Sequence, residues 1–244
     1  MIEKGNYGYW STLVSNNIID ISIHAGFDFV IFDMEHGLHD INSIANSILL
    51  LKNSNLKSYV RIPQNGSFLI QRLHDIGVDG ILFPMLHTKD DILNARKETI
   101  FEPNGKLGYN PFVKKFKYNN QNNSKISLSC IGMIEDLDLF ESSLNLYLEF
   151  GLDGCYLGAY DMNIKGGFKG DLKNSYYLEK ISKCCKILKN YENKLDTFGM
   201  DLANSEKKNL QSLELPSFKN TCLFVDSGSI LKSWKKDIET KKTS

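Results

Sequence analysis

Short apolar runs and longer amphipathic stretches alternate along the whole chain; continuous or period-two hydrophobicity marks strands, and recurrence every three to four residues marks helices. Residues 7–14 read as a first strand and 16–25 as a helix closed by Gly26. Phe27, Phe29, Val30, Ile31 and Phe32 make a nearly unbroken apolar strand of the kind buried on both faces in a parallel sheet. Asp40 then caps a helix over 41–52, with Ile41, Ile44, Ile48 and Leu51 on one face. Further strands are predicted over 57–62, 80–85, 129–134, 154–157, 197–200 and 222–225. The intervening helices span 67–76, 88–97 (capped by Thr88 and Asp90), 137–150, 175–191 and 205–213, and a last helix spans 230–238. The Lys-rich residues that follow read as a frayed tail. Residues 101–125 show no period, and a loop this long in a compact domain is functional or mobile.

Eight strand–helix alternations with no break in composition predict one (β/α)8 TIM barrel spanning the chain, rather than a doubly wound sheet. A length of 244 residues suits a single barrel. Basic and acidic residues balance at 29 each, so no broad positive field suggests nucleic acid, and small-molecule chemistry is the better expectation. No signal-peptide pattern and no apolar run long enough to span a bilayer are present, which predicts a cytoplasmic protein without membrane attachment. Cys130, Cys155, Cys184, Cys185 and Cys222 lack C-x-x-C spacing, and Cys130, Cys155 and Cys222, which fall in predicted strands, read as small buried hydrophobes in a reducing compartment.

Candidate chemistry lies where the strands end, because ligands of α/β barrels bind at the carboxyl ends. Asp33, Glu35, His36, Arg61, Glu135, Asp161 and Asp226 all fall there and are predicted to converge. Glu135 and Asp161, after strands five and six, suit a hard divalent cation needing oxygen ligands. Arg61 supplies a planar cation for a carboxylate or oxyanion. Asp33 beside His36 would make a carboxylate–histidine pair able to move a proton near neutral pH. Taken singly, each residue has a plainer account. Glu135 and Asp161 would serve as helix-capping carboxylates, Arg61 as a cover for apolar surface, and Asp201 and Asp226 as caps or supporting groups.

As a set the motifs resemble the HpcH/HpaI aldolases, class II pyruvate aldolases acting on 4-hydroxy-2-oxo acids. The family's Asp-x-Glu-His-Gly is similar to Asp33–Gly37, its Val-Arg-x-Pro to Val60–Pro63, its Asp-x-Gly-x-x-Gly-Ile-x-x-Pro-Met to Asp75–Met85, its Ile-Glu to Ile134-Glu135, and its Gly-Pro-Ala-Asp-Leu to Gly158–Met162. The resemblance implies a barrel of the phosphoenolpyruvate/pyruvate type, commonly a homo-hexamer with a terminal helix exchanged between subunits. It implies Mg²⁺, Mn²⁺ or Co²⁺ held by Glu135 and Asp161, and a keto acid and an aldehyde as small-molecule partners. Arg61 would hold the keto or enolate oxygen, and His36, oriented by Asp33, would handle the proton. Met133, Gly158, Ala159 and Tyr160 would line the substrate, and Asp75 would reach a neighbouring subunit's site. Three departures point to altered substrate contacts: Met133 stands where the family has glutamine, Ala159-Tyr160 where it has Pro-Ala, and Leu107-Gly108 where it has Arg-Gly.

Two other readings stay open on the sequence. One is an acyl-CoA lyase of the citrate-lyase-β type, with Lys114, Lys115 and Lys117 contacting a nucleotide; the other is a catalytically degenerate barrel that only binds. An imine-forming aldolase is disfavoured because no lysine stands at a predicted strand exit.

Overall fold

Eight parallel strands close into a barrel in chain order, β8 pairing back onto β1, in a computed structural model that describes residues 6–64, 66–119, 127–200 and 218–242. The strands are β1 (Asn6–Ser11), β2 (Phe29–Asp33), β3 (Lys57–Arg61), β4 (Gly80–Phe83), β5 (Ser129–Ile134), β6 (Gly154–Leu157), β7 (Asp196–Met200) and β8 (Asn220–Val225). The helices, in the same order, are α1 (Asn16–Ala25), α2 (Ile41–Leu51), α3 (Ser67–Ile76), α4 (Lys89–Glu98), α5 (Phe140–Glu149), α6 (Ala159–Lys165), α7 (Ser175–Lys189) and α8 (Asp226–Lys242). The helix expected over 205–213, and Asp201, lie outside the described residues.

Strand alternation explains why the apolar runs are so continuous. In β2, Phe29 and Ile31 point into the barrel while Val30 and Phe32 pack against the helices, so both faces are buried. The same period carries Tyr59 and Arg61 of β3, and Ile131 and Met133 of β5, inward. Phe29, Tyr59 and Phe198 meet edge to face at 5.3–6.0 Å and fill the lower barrel. Above them Trp10 and Tyr156 pack at 5.1 Å, and the next inward positions open onto the carboxyl-end mouth.

Local chemistry sets several helix starts. Ser15 accepts the Ile18 N–H at the head of α1, and Gly26 takes the left-handed conformation that ends it. Asp40 and Ser43 form a reciprocal capping box at α2. At α4 the partner of Thr88 is Asp91, not the expected Asp90, because the reciprocal bond needs the third helical position. Strand β1 stops at Ser11 rather than 14, where the chain turns to meet Asp226, and α5 begins at Phe140 rather than 137. Helix α6 was not expected after Gly158. Tyr177 donates to the Ala159 carbonyl at 2.6 Å, and Asn163 bonds Gly170 and Asp171, so neighbours pin a short segment that its own sequence does not favour.

The last helix is longer at both ends than its pattern suggested and continues to Lys242 instead of fraying. Its first residue, Asp226, is buried and accepts from Ser11 Oγ, Thr12 Oγ1 and the backbone N–H groups of Thr12, Leu13 and Ser227 at 2.6–3.1 Å. One carboxylate therefore fastens the end of β8 to the exit of β1. The described part of the long loop carries a 3-10 turn over Lys114–Phe116 and packs on the opposite end of the barrel. There Phe116 meets His74, and Lys115 donates to the Val78 carbonyl just ahead of β4.

Candidate active site

A cavity of about 290 Å³ opens at the carboxyl ends of the strands, lined in part by Arg61, His36, Asp161, Gly158, Ala159 and Tyr160. Its polar side is built on β2 and β3. Asp33, the third inward residue of β2, is fully buried and accepts Arg61 Nε at 2.9 Å, Arg61 Nη2 at 2.6 Å and Trp10 Nε1 at 3.1 Å. It also accepts the backbone N–H groups of Glu35 and His36 at 3.0 and 3.2 Å, which bends the chain as β2 ends. Gly37 is required in that bend, since a Cβ there would stand 2.3 Å from the Asp33 carbonyl.

Arg61 is held from three sides. Asp33 takes two of its N–H groups, Glu35 lies 3.1 Å from Nη1, and the Trp10 ring is 4.8 Å away. Guanidinium has five N–H groups, so donors remain for a ligand in the cavity. Burial alone would push the Asp33 carboxyl up, but the Arg61 hydrogen bonds and charge, helped by Trp10 and the His36 backbone, hold it below the ordinary carboxylate value. Glu35 goes the other way: burial raises it, Arg61 and His36 only partly offset this, and neighbouring Glu135 and Asp33 add to the rise.

The expected pairing of Asp33 with the His36 ring is not what forms. Asp33 bonds the His36 backbone, its oxygens are engaged by Arg61 and Trp10, and the imidazole is exposed at the cavity wall. The physical reason is charge: a buried carboxylate facing a guanidinium makes its strongest bonds there.

Glu135 follows β5 and is buried, with Oε2 accepting the Met85 N–H at 2.9 Å. Met85 adopts a left-handed φ of 53° to present that group, a conformation non-glycine residues rarely take. Gly158 lies against Glu135, and a Cβ on it would stand 3.0 Å from Glu135 Cγ, so glycine lets the Glu135 side chain pack directly behind the cavity lining. Asp161, in the first turn of α6, is exposed on the cavity wall. No cluster of three or more metal-ligating side chains occurs among the described residues, so this pair would need water or substrate oxygens to complete a cation's shell. Two carboxylates as the only donors fit a hard divalent ion.

Met133 is buried in the cavity wall, and Ala159 and Tyr160 also line it. Asp75 lies elsewhere, in the outer layer on α3, where it accepts from Gln71 and His74. Lys114 and Lys115 sit at the far end of the barrel, so these two lysines lend no nucleotide contact to this cavity. Trp10, Tyr156, Met200 and Val225 line the cavity without having been singled out from sequence. The available signal was their place at inward positions near strand exits, which an apolar residue does not advertise.

A closed barrel with carboxylates and a guanidinium at its carboxyl-end mouth sets the class: a (β/α)8 enzyme. Within that class the chain belongs to the HpcH/HpaI aldolase/citrate lyase family, whose model matches residues 6–212, and it is an enzyme of the aldolase type. It is similar to a 5-keto-4-deoxy-D-glucarate aldolase of Citrobacter koseri, 29% identical over 175 residues that cover 69% of this chain and 67% of that one. Two solved structures share the fold. A HpcH/HpaI aldolase/citrate lyase family protein of Burkholderia cenocepacia J2315 has TM-score 0.83 at 18% identity, covering 98% of this chain and 95% of the other. The citrate synthase SbnG has TM-score 0.78 at 19% identity, covering 98% and 94%.

Proposed function

We propose that the protein is a divalent-metal-dependent aldolase that reversibly cleaves a 4-hydroxy-2-oxo acid to pyruvate and an aldehyde. The observation that carries this is a carboxylate-clamped guanidinium, Arg61, at a mouth that Asp161 also lines, with Glu135 packed against the lining residue Gly158. Those two carboxylates would hold Mg²⁺, Mn²⁺ or Co²⁺, which when bound supplies Lewis acidity toward the keto oxygen. Arg61 donates to oxygen that gains negative charge as the carbon–carbon bond breaks, and its clamp keeps it aimed without reorganisation. His36, exposed beside the cavity, takes or returns the proton of the 4-hydroxyl at its imidazole. The similarity to a sugar-acid aldolase supports the keto-acid class.

The expected result is that EDTA abolishes pyruvate release from 4-hydroxy-2-oxo acids and that Mg²⁺ or Mn²⁺ restores it. Undiminished turnover by rigorously metal-free protein would defeat the proposal. Free CoA should not compete; if it did, the acyl-CoA lyase reading would take its place.

The partner we propose is a further copy of the chain. Leu231, Trp234 and Ile238 of α8 are each more than half exposed and recur along one side of that helix, an apolar stripe of the kind that marks association. Sedimentation should therefore report an oligomer that Trp234→Glu shifts toward monomer; a monomeric parent protein would refute it. No described helix is long and apolar enough to cross a membrane, and the five cysteines are free and buried, which supports a cytoplasmic setting.

A further inference from the structure

The cavity is sided. Going round the barrel, its charged or imidazole lining groups come from one arc: His36 after β2, Arg61 on β3 and Asp161 after β6, with Asp33 and Glu35 behind Arg61 and Glu135 against Gly158. The adjoining arc of β7, β8 and β1 contributes Met200, Val225 and Trp10, and Met133 of β5 and Tyr156 of β6 line the cavity on the other arc. Among the described lining residues Arg61 is the one permanent cation, and it already faces two carboxylates. A volume of about 290 Å³ is roughly ten waters' worth of liquid, well beyond what a pyruvate-sized head fills.

We infer that the physiological substrate carries an uncharged hydrocarbon substituent, seated against Met200, Val225 and Trp10 on the apolar arc of the mouth. This rests on the keto-acid reading above, which places the polar head against the β2–β6 arc. A second carboxylate in the tail would lose its water against thioether, isopropyl and indole groups and meet no second cation among the described lining residues. A methylene gains instead, by roughly fourfold in affinity for each one buried. Met200 and Val225 are half-buried, so each can be changed without hollowing the core, and they set tail preference.

The test uses the Mn²⁺-loaded protein and 4-hydroxy-2-oxo acids of equal length whose tails end in methyl, hydroxyl or carboxylate. The methyl-ended compound should be cleaved with a kcat/KM at least about tenfold above the carboxylate-ended one. Met200→Lys, which places a cation on the apolar arc, should invert that order, through KM more than kcat. Calorimetry with unreactive 2-oxo acids bearing the same tails reads seating apart from bond cleavage. Tighter binding of the alkyl acid supports the inference even where no pyruvate is released, an outcome that would sink the aldolase reading alone. Tighter binding of the dicarboxylate, or binding indifferent to the tail, overturns it.

Discussion

Arg61→Ala is expected to be the most damaging single substitution at the mouth, lowering pyruvate release by on the order of 10²–10³-fold and stability by about 3–5 kcal/mol. The first effect follows from losing the donor aimed at the reacting oxygen. The second follows from what stays behind, since Asp33 is buried and Glu35 nearly so, and neither keeps its counter-charge. Arg61→Lys restores charge but not the planar fork that satisfies Asp33 through two parallel bonds, so it should recover part of the stability and little of the activity. Adding Asp33→Asn to Arg61→Ala should recover stability without activity, the mark of a coupled pair. The pH dependence has a definite sign. Asp33 is held below its ordinary value in the folded protein, so its contribution is complete above that value and disappears as pH falls through the lower, folded one. Glu35 is raised, so it favours folding at low pH and the gain is lost as pH rises from its ordinary value to the elevated one. Urea unfolding from pH 3 to pH 7 checks both. An Arg61→Ala protein with the parent's midpoint would show that the clamp contributes nothing.

Glu135→Gln should cut turnover by at least on the order of 10²-fold while leaving the fold intact, and this separation makes it the sharper probe of the metal proposal. A glutamine can still accept the Met85 N–H through its amide oxygen, so the bond that orients residue 135 survives. What changes is the second position, where an anionic oxygen becomes an amide NH2 group, a donor with no lone pair to offer a cation. Mn²⁺ binding followed by calorimetry should weaken at least tenfold with little change in the thermal midpoint. Removing that negative charge should also let Glu35 titrate lower, because Glu135 is among the groups that raise it. Parent-like Mn²⁺ affinity in Glu135→Gln would remove Glu135 from the cation site.

The barrel was legible because its strands are short and apolar on both faces and its helices carry their own stop and start signals. Strands β5 and β6 and helices α1 and α3 fall within the predicted limits, Gly26 ends α1 as expected, and Gly77 ends α3 in the same left-handed conformation. Helix α6 and the Asp91 cap depended on contacts or helical positions that periodicity does not encode. The charged members of the mouth stood out because an ionisable residue ending an apolar run is conspicuous. Their partners were harder to read. Asp33 next to His36 in sequence suggested a pair, but the inward turn of β3 offers Asp33 a guanidinium across the sheet, 28 positions away, and Coulomb attraction decides. The apolar half of the mouth was invisible for the converse reason: Met200, Val225 and Trp10 look like any other core residue until the strand order sets them side by side.

The carboxylate of Asp226 has a bearing on how the chain reaches its native state. It fastens backbone more than 200 positions earlier, at the seam between the first stave and the last, and the same seam depends on β8 pairing with β1. Contacts of such wide separation demand that the intervening polypeptide be gathered first, which slows assembly and defers it to the end. During synthesis the N-terminal staves must wait with an unzipped edge until the final helix has left the ribosome. A nascent chain halted short of that point would be an open, curling sheet whose free edge is a template for aggregation.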